Sequence, residues 1–101
     1  MRTTDDRERA RLRALLDRAT TQMGVALADA REAHDELTKL VLIGNARPLK
    51  GPERAQYKAV EYAERDAAKR YLVARRWHDD VIGRLRDLRY RRDGDVAGPA
   101  A

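Results

Sequence analysis

The sequence predicts an all-α protein, an antiparallel two-helix coiled-coil hairpin that is expected to dimerise into a four-helix bundle. Three observations predict it. Small and apolar residues fall at Leu12, Leu16, Ala19, Met23, Ala26, Ala30, Ala33, Leu37, Leu40 and Gly44, in unbroken steps of four and three. That spacing is the heptad signature of a helix burying one narrow seam. A second series follows at Tyr57, Val60, Glu64, Ala67, Tyr71, Ala74, His78, Val81, Leu85 and Leu88. Between the two lies a glycine- and proline-marked connection, Gly44-Asn45 to Gly51-Pro52.

Composition agrees. The chain has 101 residues, room for one domain and little beyond two long helices. Its charged fraction of 39% would also suit disorder, but the heptads argue against that. Alanine and leucine supply most of the apolar content, and phenylalanine is missing altogether. Such a balance fits long paired helices better than a compact mixed fold.

Taken in order, residues 1–4 are expected to fray. Thr3, Thr4 or Asp5 can cap the first helix, and Asp5, Asp6 and Glu8 place negative charge where its dipole favours it. This helix is expected over residues 5–43, about 57 Å at the helical rise. Gly44 and Asn45 both accept the left-handed conformation that ends helices, so the turn is expected over 44–51. Pro52 suits the first turn of a second helix, expected over 52–92. Glu64 is a defect in its seam that Ala63 is expected to cover. Asp93-Gly94 is expected to stop it, leaving 93–101 as a disordered tail.

A short connection makes the helices antiparallel neighbours. With the turn centred near Pro48, facing residues should have numbers adding to about 96 to 99 by helical geometry. Leu40 then lies by Tyr57, Leu37 by Val60, Ala26 by Tyr71 and Leu12 by Leu85, large against small wherever alanine intervenes.

Several apolar residues lie beside this seam: Leu15, Val25, Leu27, Leu72, Val73, Trp77 and Ile82. They share axial levels in the half of the hairpin away from the turn, and they are expected to form a second buried face against a partner. The narrower alternative is that Leu15 and Trp77 simply widen the intramolecular seam. Val41, Leu42 and Ile43 form a smaller cluster near the turn.

Chemistry is sparse. With no cysteine, disulfides and thiolate metal sites are excluded. Serine is absent too, and no glycine-rich phosphate loop occurs. His34-Asp35-Glu36 and His78-Asp79-Asp80 resemble ligand clusters, but the expected register separates them by roughly 20 to 24 Å. The stretch 44–51, with two glycines and two basic residues, is suited to hold an anion at the start of the second helix. No enzyme activity, metal or cofactor is expected.

The net charge is +5, and arginine outnumbers lysine 18 to 4. Arg84, Arg86, Arg89, Arg91 and Arg92 gather at the open end, where a nucleic-acid phosphate backbone would meet guanidinium forks. A GC-rich coding sequence also favours arginine and alanine, which points to a bacterial or phage source as readily as to a polyanion. Tyr57-x-x-x-Glu61 and Tyr62-x-x-x-Asp66 match the Tyr-x-x-x-acid element of small helical proteins exported by type VII secretion, which the hairpin resembles in shape. The tryptophan–glycine turn of that family is absent from residues 43–52.

The N-terminal MRTTDDRERARLR lacks the apolar core of a secretory signal, and no run is long enough to span a bilayer, so a cytoplasmic protein is expected. The expected function is a non-enzymatic interaction or assembly module, binding a copy of itself or a partner helix. The alternative is a nucleic-acid-associated protein using the arginine-rich open end.

Overall fold

The computed structural model describes the backbone of residues 4–97 and the side chains of residues 4–91. Two helices account for nearly all of it, α1 (Thr4–Ala46) and α2 (Gly51–Ala97), packed against each other along their length. The hairpin measures 76 × 27 × 13 Å, with a radius of gyration of 22.4 Å. A compact chain of this length would come nearer to about 13 Å. The shape is a thin rod.

The helix boundaries differ from those expected. Thr4 already belongs to α1, and residues 1–3 lie outside the described part. α1 also continues through Gly44 and Asn45 to Ala46, because the Arg47 N–H still donates to the Ile43 carbonyl at 3.0 Å. Glycine and asparagine permit a left-handed stop without imposing one. Leu49 packs beside Gly44, its Cγ 3.6 Å from where a Cβ would lie, an ordinary van der Waals contact that does not itself require glycine. The turn is therefore only residues 47–50.

At the far end α2 passes through Asp93-Gly94 and reaches Ala97, which overturns the expected stop there. An interior glycine costs a helix about 1 kcal/mol relative to alanine, too little to end it alone. Residues 98–101 of the expected tail lie outside the described part.

The core follows a strict seven-residue rhythm. Leu12, Ala19, Ala26, Ala33 and Leu40 of α1 are buried, as are Val60, Ala67, Ala74, Val81 and Leu88 of α2. The alternate seam positions are half-buried, Gly44 excepted, which is exposed. Larger side chains close the two ends. Leu12, Val81 and Leu88 pack with Leu15, Leu16, Trp77 and Leu85 at the open end, and Leu40 and Val60 with Leu37 and Tyr57 near the turn. Alanines fill the middle, letting the two backbones approach closely.

Two polar contacts between the helices report the register. Arg70 Nη1 meets Asp29 Oδ2 at 3.0 Å, and His34 Nδ1 meets Glu64 Oε1 at 3.6 Å. Their numbers add to 99 and 98, inside the expected range. Glu64 is thus accommodated by leaning out to His34; Ala63 is exposed and covers nothing.

Candidate functional site

Each helix carries two flanks beside its buried row. One residue of helix turns about 100°, so positions one before and three after a buried residue share one flank, and those one after and two before share the other. In an antiparallel pair, like flanks of the two helices come together. The Arg70–Asp29 pair demonstrates this, since each residue lies three after a buried alanine. A groove lined by Thr21, Gln22, Val25, Lys69, Arg70 and Val73 lies on the same side.

This geometry divides the apolar set expected to form one face. Val25 and Leu27 bracket buried Ala26 and so lie on opposite flanks. Leu15, Val25, Val73 and Trp77 fall on the groove flank; Leu27, Leu72 and Ile82 fall on the other. A single surface built from all seven is not possible. Spacing along the chain places residues at common heights, but only the angle about each axis separates the sides.

Their burial differs as well. Leu15 and Trp77 are half-buried and pack against Leu12, Val81 and Leu88, so they do widen the intramolecular seam. Ile82 is half-buried too. Val25 and Val73 remain 53% and 67% exposed across the groove. Leu27 and Leu72 are exposed on the opposite side.

Charge is also sorted by flank. On the groove flank Asp29, Glu32, Glu36 and Asp66 surround Arg70 towards the turn. Arg70 donates Nη1 to Asp29 and Nε to Asp66 at 3.0 and 2.9 Å, and these bonds raise its already high pKa. Towards the open end Arg84 Nε pairs with Asp80 at 3.2 Å. The arginines expected to form one basic end are divided in the same way. Arg84 and Arg91 belong to the groove flank, Arg86 and Arg89 to the other, and the side chain of Arg92 lies outside the described residues.

The anion-holding reading of the turn has a different outcome. Arg47 places Nη1 and Nη2 on the two carboxylate oxygens of Glu53, each at 2.8 Å. The Lys50 N–H also donates to Glu53 Oε1 at 2.8 Å. Glu53 is the third residue of α2 and reaches back to the residue before it, one half of a capping box. The Arg47 fork first, and the Lys50 N–H second, hold the Glu53 carboxyl down to about 2. The position an external anion would take is filled by the chain's own carboxylate.

The two histidines have separate partners, His34 with Glu64 and half-buried His78 with Asp79 at 3.1 Å. Among the described residues no group of three or more His, Asp or Glu is placed to hold a metal ion, and no helix is long and apolar enough to cross a membrane. Of the two Tyr-x-x-x-acid elements, Tyr57 packs in the core near the turn and Tyr62 is exposed. Comparison with protein-family models, curated proteins and solved structures gives no match.

Proposed function

We propose that this chain is a non-enzymatic assembly module whose groove flank pairs with a second copy to form a four-helix bundle. The observation that supports this reading is the exposure of Val25 and Val73, at 53% and 67%, across one groove beside half-buried Trp77. A two-helix layer has no third element to cover that groove.

Charge along the same flank is arranged for self-pairing. Arg11, Arg18, Arg84 and Arg91 lie towards the open end, tempered by Glu8, Asp80 and Asp87, and the carboxylates near Arg70, with Lys39 beyond them, lie towards the turn. A twofold axis through the valines would set each copy's arginines over its partner's carboxylates. The test is solution mass by light scattering for the wild type and for a Val25→Glu, Val73→Glu variant. The wild type should be a dimer and the variant a monomer of unchanged helicity. A monomeric wild type at high protein concentration overturns the reading.

A second reading, association with nucleic acid, is favoured by one specific feature. Arg86 and Arg89 are exposed and have no carboxylate partner among the described residues.

A further inference from the structure

We propose that the flank opposite the groove, carrying Arg13, Arg31, Arg75, Arg86 and Arg89, is a binding surface for the phosphate backbone of double-stranded nucleic acid. The inference rests on the second reading above and moves its site from the open end to the side of the rod. Each of the five follows a buried core residue by one position or precedes one by two, which sets all of them on one side of the hairpin. All five are exposed.

Charge balance distinguishes this flank: its basic residues outnumber its acidic ones, whereas the groove flank carries the carboxylates near Arg70 together with Asp80 and Asp87. Arg70 and Arg84, on the groove flank, are held by Asp29, Asp66 and Asp80. Among the described residues none of these five arginines has a carboxylate within ion-pair distance, although Asp17 and Asp79 lie among them; Arg65, further along the same flank, is held by Glu61 at 2.8 Å. Asp79 is instead turned to His78. A guanidinium already forked onto a carboxylate must give up that pair to reach a phosphate, whereas an unpaired one presents all its donors.

The dimensions suit a stiff, extended polyanion. From Arg89 to Arg31 the set spreads over roughly 30 Å of axis at 1.5 Å per residue. Helices on both sides of the seam contribute, so the array is rigid. A bilayer surface is the competing polyanion, but this flank offers Leu27, Val41, Leu72 and half-buried Ile82, scattered along the rod, for insertion. That is far less than the continuous apolar face by which interfacial helices bind.

The test uses a mixed-sequence 30-base-pair DNA duplex and fluorescence anisotropy at 50 and 200 mM salt. One variant carries Arg13→Gln, Arg75→Gln and Arg86→Gln. A charge-matched control carries Arg7→Gln, Lys50→Gln and Arg76→Gln, all exposed and away from this flank. The wild type should bind with strong salt dependence, and the flank variant tenfold or more weakly. Its log–log salt slope should fall by about 0.9 for each phosphate the variant no longer neutralises. The control should stay within about twofold of the wild type, and circular dichroism should show both variants fully helical.

Equal losses in the two variants would leave nucleic-acid association standing and overturn the flank assignment. No binding by the wild type at 50 mM salt would overturn both. Binding to phosphatidylserine vesicles in place of the duplex would overturn the proposal in favour of a membrane surface.

Discussion

Arg47 and Glu53 close the hairpin turn with two parallel hydrogen bonds of 2.8 Å, one from each terminal guanidinium nitrogen. Six residues apart, they tie the end of α1 to the first turn of α2. Glu53 also caps the Lys50 N–H, so one carboxylate fixes both sides of the connection. Its depressed pKa sets a direction. In the unfolded chain the carboxyl titrates near its ordinary value of 4.5, and in the folded chain near about 2. The stabilisation is therefore present above pH 4.5 and is lost as pH falls from there towards 2.

The first prediction follows from that sign. Thermal unfolding followed by circular dichroism should show the wild-type midpoint dropping between pH 4.5 and pH 2. Glu53→Gln should lower the midpoint at pH 7 and flatten the acid dependence in that window. An unchanged acid slope in the variant would show that other carboxylates carry it.

The alanine row makes a second prediction. Ala26 and Ala67 are 1% and 0% exposed, in the middle of the seam. Leucine at either position has no room without pushing the backbones apart. Ala26→Leu and Ala67→Leu should each cost about 1–3 kcal/mol. Urea denaturation would read this as a lower midpoint at similar slope.

Two interior glycines give the opposite expectation. A Cβ added at Gly24 or Gly83 would meet nothing within 4 Å, and both residues are helical. Gly24→Ala and Gly83→Ala should each stabilise by about 0.5–1 kcal/mol, through helix propensity alone. The two are separated along the rod and share no partner, so their gains should add.

The hairpin and its register were legible in the sequence because both depend on period and turn length. Leu12, Ala19, Ala26 and Ala33 repeat every seven residues, and the Asp29–Arg70 and His34–Glu64 pairs fall where the turn position predicts. Helix ends were less legible. Gly44 and Gly94 carry the chemistry of a stop, but the backbone uses neither, since propensity there is a preference of about 1 kcal/mol. The candidate surfaces were legible only in height. Val25 and Leu27 stand two residues apart, yet they lie on opposite sides of the rod. Nor did any sequence signal foretell that Glu53 would occupy the anion position of the turn, because the pairing depends on how Arg47 folds back across a four-residue connection.

The last prediction separates the side chains that hold the hairpin from those available to a partner. Trp77 packs against the open-end cluster to which Leu12, Val81 and Leu88 belong, while Val73, one helical turn before it, is exposed on the same flank. Truncating a fully buried tryptophan costs about 3–5 kcal/mol, so half-buried Trp77→Ala should cost about 2 kcal/mol of hairpin stability. Val73→Glu removes no internal packing of that kind and should leave the monomer's stability within about 0.5 kcal/mol. Measured at low protein concentration, where association is weakest, Trp77→Ala should lower the unfolding midpoint and Val73→Glu should not. Raising the concentration should then increase the wild-type midpoint by mass action and leave that of Val73→Glu fixed. If the two substitutions instead destabilise alike at every concentration, the groove belongs to the fold of one chain and not to its pairing with a second.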